Sequence, residues 1–326
     1  MPTIDSKKIN YLYNKIDEII MSRYEETKKT YLDLLVEVSD ILTDQIDSSS
    51  IDLSEDNHNT IDEIEQYDYN SEEVRLAMQL LIIQGLKHKN IPVDVMTPDG
   101  IALLFAFIIK QLMNKRSDIN ILDVALGTGN LLLSIANHLQ TDHIGMVGIE
   151  NNESLVKLAK ANADMQYHNI DIYFQDTLQS TFRNIDFVIG DLDSYLYEDP
   201  KYQSYLIDNG VRDFPYLAIE NHLKSGYEES YYIFLIPNDF FSKKGNIESK
   251  QVIDTYAKML GLIVLPPAMF VSKEKGKSIL ILKNKSNDDS INTSLEVFNL
   301  PSMSDSELFT STLTQIGVWL KKHTEF

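Results

Sequence analysis

The 326-residue chain contains no cysteine, and this absence removes several kinds of chemistry at once. It has no disulfide, no thiolate-bound zinc and no cysteine nucleophile, which is typical of a reducing compartment. Long apolar runs are also lacking, because the longest one, near residues 101–109, is too short to span a bilayer. The amino terminus does not show the basic segment and apolar segment of a secretory signal. We therefore expect a cytoplasmic protein.

Positive charge is scarce as well. The 29 Lys and Arg residues are outnumbered by 49 Asp and Glu residues, which gives a net charge of −20. Proteins that bind DNA neutralise its phosphates with Lys and Arg, so an acidic chain is disfavoured unless its basic residues cluster. An acidic surface that promotes solubility explains the charge without any partner. The hydrophobic content of 43% indicates a globular protein, and the length indicates more than one domain.

Residues 1–91 have the pattern of a helical domain. Apolar residues recur at helical spacing over residues 9–20 and 31–42. The polar stretch 47–60 indicates a loop, and Ser71 is the predicted cap of a helix that carries the apolar residues 74–86. We expect a structural module that packs on the main domain, and its acidic helices leave the binding of a protein partner as the alternative.

From residue 92 onwards, strand-like and helix-like segments alternate. The seven predicted strands cover residues 119–124, 146–149, 170–174, 186–190, 231–237, 261–265 and 278–283. This alternation predicts an α/β fold over residues 92–285, with a doubly wound, mostly parallel sheet and helices on both faces. Residues 286–326 are predicted to form a tail with a short helix near residues 313–320. Ligands of such sheets bind beyond the carboxyl ends of the strands.

The segment 121–130 carries the strongest signal for ligand binding. An apolar strand ends at Asp123, a loop with Gly127 and Gly129 follows, and a helix begins next. Glycines let the backbone approach a ligand closely, and the N–H groups at a helix start bind polar groups. We predict that this loop holds a nucleotide-like cofactor.

Two further acids narrow the choice of cofactor. Glu150 ends the next predicted strand, where a carboxylate accepts hydrogen bonds from ribose hydroxyls, and a solvated acid is the alternative. Asp176 follows the third strand and is placed to accept the adenine amino group, with a cap or turn former as the alternative. Leu132 stands where the dinucleotide pattern needs its third glycine, so no pyrophosphate is indicated. S-adenosylmethionine (SAM) fits this combination.

The segment Asp123-Val-Ala-Leu-Gly-Thr-Gly-Asn130 resembles the Asp-Pro-Ala-Cys-Gly-Thr-Gly-Asn cofactor motif of N6-adenine DNA methyltransferases, with six of eight positions identical. Met96-Thr-Pro98 resembles the Thr-Pro segment that precedes this motif in the family and helps to hold the methionine end of SAM. Residues 234–240, 261–270 and 278–283 resemble the family's later strands. The order of these parts is that of the methylase subunits of type I restriction-modification systems.

The resemblance implies a class I SAM-dependent methyltransferase fold and methyl transfer to an exocyclic amine, with no metal. It also implies which residues bind the cofactor. These residues belong to the matching motifs, or they are the two acids near strand ends and the neighbour of one of them: Thr97, Asp123, Ala125, Gly127, Gly129, Asn130, Glu150, Asn151 and Asp176.

The family's catalytic motif follows its fourth strand and contains Asn or Asp, two prolines and an aromatic residue. The acid or amide, with a backbone carbonyl, accepts hydrogen bonds from the target amine, and the aromatic ring stacks on the flipped-out base. In this chain Asp191 takes the first position, and Leu192 and Asp193 replace the prolines. The resemblance implies the catalytic residues Asp191, Tyr195 and Tyr197.

The lost prolines open two alternatives, because prolines fix the backbone so that a carbonyl points at the substrate. One is a SAM-binding sensor or interaction protein without transferase activity. The other is a methyltransferase that acts on a substrate other than DNA. A target-recognition domain is not evident in residues 286–326. Two loops carry the lysines that we predict as DNA contacts, with solvated loop lysines as the alternative: Lys243, Lys244, Lys273, Lys275 and Lys277.

Overall fold

The computed structural model describes residues 3–90, 96–114, 116–139, 141, 143–270, 276–285 and 295–324. The chain divides into two compact units. The helical unit comprises Met1–Leu103, Leu126–Leu139 and Asn152–Ile172, and the sheet unit comprises Leu104–Ala125, Gln140–Asn151 and Tyr173–Phe326. The predicted domain boundaries at residues 91 and 285 border segments outside the described residues and stay a prediction.

The helical unit contains α1 (Ser6–Glu26), α2 (Tyr31–Leu42), α3 (Glu55–Glu65) and α4 (Ser71–His88), and α5 (Asp99–Leu112) begins in it. The same unit also contains α6 (Asn130–His138) and α7 (Glu153–Met165). Apolar side chains that recur at helical spacing on α1, α2 and α4 form one buried core, to which α7 adds Leu158 and Met165.

Two predictions for the helical unit were wrong. The cap of α4 is Asn70 rather than Ser71, because Asn70 accepts the backbone N–H of Glu73 while the Glu73 carboxylate accepts the N–H of Asn70. The second half of the predicted loop 47–60 forms the start of α3. Ser54 caps this helix, and the buried isoleucines of its second half anchor a polar first turn that has no helical pattern of its own.

The eight strands of the described sheet are β1 (Asp118–Asp123), β2 (His143–Glu150), β3 (Asp171–Phe174), β4 (Ile185–Asp191), β5 (Gly226–Pro237), β6 (Ala257–Val264), β7 (Lys277–Asn284) and β8 (Glu296–Asn299). Their order is β3-β2-β1-β4-β5-β7-β6-β8. Neighbours are parallel from β2 through β1 and β4 to β5, and β7 runs antiparallel to both of its neighbours.

The predicted α/β fold with a mostly parallel, doubly wound sheet is confirmed. The sequence missed β8, a four-residue strand that pairs parallel with β6 and is largely exposed, so it offers no apolar run. Helices α8 (Tyr205–Asp208), α9 (Phe214–His222), α10 (Asn246–Tyr256) and α11 (Ser306–Lys321) complete the sheet unit. Among the described residues, the structure contains no helix with the length and apolar character needed to cross a membrane.

The register of the central strands sets the position of the acidic residues. β1 pairs with β2 and β4 so that Asp123 lies opposite Gly148 on one side and Ile189 on the other. β4 is buried along almost its whole length, as is typical of a strand covered on both faces. The carboxyl ends of β1, β2 and β4 therefore lie at one edge of the sheet unit.

The close approach of α2 and α4 gives a test of the helical unit. A Cβ atom at Gly85 would lie 2.3 Å from Cδ2 of Leu32 and 2.8 Å from Cδ1 of Tyr31, both buried. Gly85→Ala is expected to destabilise the protein by about 1–2 kcal/mol through overpacking, although alanine favours an exposed helix by about 1 kcal/mol. Urea unfolding measures this change, with the exposed Lys87→Ala on the same helix as the control. A gain in stability for Gly85→Ala would contradict this packing.

Candidate functional site

A pocket of the sheet unit collects several of the predicted site residues. It is lined by the segments that follow β1, β2, β3 and β4, and by the start of α9. Of the predicted cofactor and catalytic residues, it brings together Ala125, Glu150, Asn151, Asp176 and Tyr195. Val124, Ile149, Gln175, Thr177 and Phe214 complete the lining. The pocket thus lies beyond the carboxyl ends of the strands, where ligands of this fold class bind.

Glu150 is held in the pocket by its own backbone surroundings. Its Oε1 atom accepts the N–H of Asn151 at 2.9 Å, and its carbonyl accepts the N–H of Gln175 at 3.1 Å. The second bond ties the end of β2 to the residue after β3. A carboxylate fixed in this way offers acceptor lone pairs to hydroxyl donors, as a ribose requires.

Asp176 has the capping role that was the alternative prediction from the sequence, and it also lines the pocket. It caps the 3₁₀-helix Thr177–Gln179, because its Oδ1 atom accepts the N–H of Leu178 at 2.9 Å. Its Oδ2 atom accepts a short hydrogen bond from the hydroxyl of Tyr197. These two donors orient the carboxylate of Asp176. The carboxylate also lines the pocket, and it retains lone pairs for a ligand.

The two predicted tyrosines differ in their surroundings. Tyr197 is buried, contacts Tyr202 edge-on and uses its hydroxyl to hold Asp176. Tyr195 lines the pocket, and its ring stacks on Phe214 with the centroids 4.5 Å apart. Burial, together with the charges of Asp176 and Glu150, raises the pKa of Tyr195 to about 12, so the phenol stays neutral. Of the two predicted tyrosines, Tyr195 is therefore the one that lines the pocket.

Asp123 is a fully buried carboxylate at the end of β1. Its Oδ1 atom accepts the N–H of Ala125 at 3.1 Å, whereas Oδ2 has no hydrogen-bond partner among the described residues. Burial, reinforced by the negative charges of Asp191 and Glu150, raises the pKa of Asp123 to about 7. An orphaned buried oxygen of this kind fits a ligand that brings an N–H donor or a positive charge.

Asp191, the predicted catalytic acid, ends β4 in an ion pair with Lys277 of β7. The Lys277 ammonium also lies 2.6 Å from Oδ1 of Asp193, and only 12% of its side chain is exposed. Burial alone would lower the pKa of Lys277, but the two carboxylates raise it above its ordinary value. The lysine therefore stays charged and balances the charge of Asp191.

Backbone pairing fixes the segment after β4 in place of the two prolines. The N–H of Leu192 donates to the carbonyl of Leu235 at 2.9 Å, which continues the β4–β5 ladder by one residue, and its side chain is fully buried. A proline cannot donate this bond. Leu196 then forms a β-bridge with Asp213, and the N–H of Tyr197 donates to the carbonyl of Arg212. The backbone geometry of this segment is thus secured by hydrogen bonds.

In the helical unit, both glycines of the predicted cofactor loop have a positive φ. Gly127 and Gly129 have φ values of 57° and 77°, a left-handed conformation that disfavours other residues. Gly129 precedes the first residue of α6, and within the described structure no side chain caps this helix. Asn130 is buried, and its Nδ2 atom donates to the carbonyl of Thr97 at 2.9 Å.

The lysines predicted to contact DNA have varied surroundings. Lys243 lies 3.4 Å from Asp213 and 3.3 Å from Asp239, and Lys244 is exposed. Lys273 and Lys275 lie outside the described residues. Lys277 was predicted as a loop lysine, and the structure places it in β7 beside Asp191, a role that the sequence did not reveal. DNA contact by these lysines stays a prediction.

Comparison with known proteins places these features in a family. The sequence model of the N-6 DNA methylase family matches residues 92–307. The uncharacterized protein YtxK of Bacillus subtilis is 28% identical over 322 residues, which cover 96% of this chain and 98% of YtxK. A crystal structure from Listeria monocytogenes, provisionally described as a class I SAM-dependent methyltransferase, is 26% identical with a TM-score of 0.86. The match covers 97% of this chain and 100% of that one.

A more distant match shows the fold alone. The methyltransferase subunit of a type I restriction-modification system from Streptococcus thermophilus is 14% identical, with a TM-score of 0.57. The match covers 94% of this chain and 74% of that subunit. Together these matches confirm the predicted family resemblance and fold class, and SAM as the cofactor of the family.

The raised pKa of Asp123 predicts how stability depends on pH. The folded pKa of about 7 exceeds the ordinary value, so protonation at low pH favours the folded state and this contribution is lost as the pH rises through 7. Between pH 5 and pH 8, the wild type should lose about 2 kcal/mol relative to the isosteric Asp123→Asn, which keeps the same shape without the charge. Urea unfolding of both proteins at the two pH values measures the difference. If the stabilities of the wild type and Asp123→Asn depend on pH in the same way, the raised pKa of Asp123 is contradicted.

Proposed function

This chain belongs to the N-6 DNA methylase family, and we propose that it transfers the methyl group of SAM to an exocyclic amine, as in N6-adenine methylation. Family and fold support a SAM-dependent methyltransferase. The observation that carries the proposal is the pocket of the sheet unit, which contains Glu150, Asp176 and Tyr195 beyond the strand ends.

The residues of this pocket suit the adenosine part of the cofactor. The Glu150 carboxylate accepts hydrogen bonds from ribose hydroxyls, and Asp176, oriented by Leu178 and Tyr197, accepts an amino group. The neutral ring of Tyr195 offers a flat apolar surface. SAM itself supplies an activated methyl group on a positively charged sulfur. The resemblance to the family's motifs supports a further cofactor role for Thr97, Gly127, Gly129 and Asn130.

For the transfer step, we propose that Asp191 orients the accepting amine. Its carboxylate accepts an N–H of the amine, which directs the nitrogen lone pair away from the acid and towards the methyl group. Lys277 fixes the direction of the carboxylate through their ion pair. The hydrogen bonds of Leu192 and Tyr197 hold the segment rigid, so the step depends on positioning rather than on a chemical group of the protein.

A SAM-binding protein without transferase activity is the second candidate. The ion pair of Lys277 with Asp191 favours it, because the lysine already donates to the oxygen that a target amine would need. The charge of the chain and the pairing of Lys243 and Lys277 with acids also favour acceptors other than DNA.

Calorimetric titration and methyl transfer together test the proposal. The wild type is expected to bind SAM and to transfer labelled methyl to DNA. Asp191→Ala should lower the transfer by about 100-fold or more, because the amine loses its orienting acceptor. The Kd of Asp191→Ala for SAM should stay within about threefold of the wild-type value, because the substitution removes a contact to the methyl acceptor and not to SAM. Asp208→Ala, an exposed acid on α8, serves as the matched control and should retain both properties.

Two other results would decide against the proposal. Binding of SAM without labelling of DNA, RNA or lysate protein supports the inactive SAM-binding protein. Absence of heat with both SAM and S-adenosylhomocysteine excludes any cofactor-based function.

A further inference from the structure

Arg75 of α4 is a buried charge whose bonds reach the predicted cofactor loop. Its side chain is 1% exposed. Its Nε and Nη2 atoms donate to both carboxylate oxygens of Glu72, at 2.8 and 2.7 Å. Its Nη1 atom donates to Oδ1 of Asn130 at 2.6 Å and to Oδ1 of Asp99 at 3.0 Å. One guanidinium therefore joins α4 to the starts of α5 and α6.

Asn130, the first residue of α6, has its side-chain amide fixed at both ends. The oxygen accepts from Arg75, and the nitrogen donates to the carbonyl of Thr97 at 2.9 Å. The residue is 2% exposed, so water does not replace either bond. Because the amide cannot turn without losing both partners, it holds the backbone at the start of α6 in one position.

The same loop is held from its other side. The carbonyl of Thr128 accepts from Nδ2 of Asn162 on α7 at 3.1 Å. Asn162 accepts from Gln166, and Oε1 of Gln166 accepts from Asn137 at 2.9 Å. Asn137 also donates to Glu72 at 2.9 Å, which returns the chain of bonds to Arg75. The residues from Thr128 to Asn130 are thus held inside a closed polar network of the helical unit.

Packing alone does not explain this arrangement. Removing a guanidinium from water costs several kcal/mol, and an apolar side chain of similar volume fills space at least as well. What the guanidinium adds is a rigid fork that sets the directions of several acceptors at once. Among the acceptors of Arg75, Asn130 is the one that lies in the motif that the sequence assigns to the cofactor.

We propose that Arg75 is a positioning residue for the cofactor loop. Through Asn130 it sets the direction of the backbone N–H groups that open α6, and in this way it sets the affinity for SAM. The inference rests on the proposed function, in which this loop binds SAM. It also makes α4 a part of the cofactor machinery, whereas the sequence predicted a structural module that packs on the main domain.

The affinity of Arg75→Gln for SAM, measured by calorimetry on the full chain, tests this role. Arg23→Gln is the matched control, because Arg23 is also buried in the helical unit and bonds Glu37 and the carbonyl of Asp52. Both variants are expected to lower the Tm by similar amounts. Arg75→Gln should raise the Kd for SAM about tenfold or more, and Arg23→Gln should change it less than twofold.

Arg75→Lys and Arg23→Lys form a milder pair should the glutamine variants not fold. Arg75→Lys keeps the charge and loses the fork, so the Kd should rise several-fold, again without a change in Arg23→Lys. In the background of Asn130→Ala, Arg75→Lys should add no further loss of affinity, because Arg75 acts through Asn130.

The outcomes separate this inference from the proposed function. A wild type that does not bind SAM overturns the proposed function. If the wild type binds SAM and the Arg75 and Arg23 variants of a pair have equal Kd values, the role of Arg75 is overturned and the proposed function stands.

Discussion

Three carboxylates end three neighbouring strands of the sheet unit, and the way in which each is buried or paired is the constraint on which the candidate site depends. Asp123, Glu150 and Asp191 end β1, β2 and β4, which are adjacent in the sheet. Each acid is accommodated differently. Asp123 is buried with a pKa of about 7, Asp191 is paired with Lys277, and Glu150 borders the pocket and accepts a backbone N–H. The edge thereby keeps a surplus of acids over lysine, and Glu150 is the acid of the three that lines the pocket.

This surplus explains why a cationic cofactor suits the protein. SAM carries a positive sulfur, so an edge with an orphaned carboxylate oxygen and two further acids favours it over a polyphosphate cofactor. The same charges disfavour a polyanionic acceptor, except where lysines balance them. Lys277 does so for Asp191, and in this way one residue of β7 decides the charge at the position where the target amine is proposed to bind.

Much of this could be predicted from the sequence, for a physical reason. Asp123 and Glu150 were predicted as strand ends because parallel strands buried on both faces appear as short apolar runs, and the end of each run lies at the ligand edge. Asp191 was predicted from the resemblance to the family's catalytic motif. The glycine turn before α6 was predicted because glycines let the backbone approach a ligand closely, and the structure adds that Gly127 and Gly129 are left-handed.

The features that escaped prediction are contacts between residues that are distant in the sequence and become neighbours only in the folded chain. Lys277 contacts Asp191 only because β7 lies next to β5, an order that no periodicity encodes. The bond of Arg75 to Asn130 spans 55 positions in the sequence, and Arg75 lies in a segment that the sequence predicts as a structural helix. Leu192 replaces a proline, and its N–H bond to Leu235 is visible only once β4 and β5 are paired.

The proton balance of SAM binding tests the central claim most directly. Calorimetric titration at pH 7 in two buffers of different ionisation enthalpy measures the protons exchanged on binding. A cation bound at the acidic edge lowers the pKa of Asp123, so the wild type should release more protons than Asp123→Asn. Binding with the same proton exchange in both proteins, or no binding at all, would contradict the account.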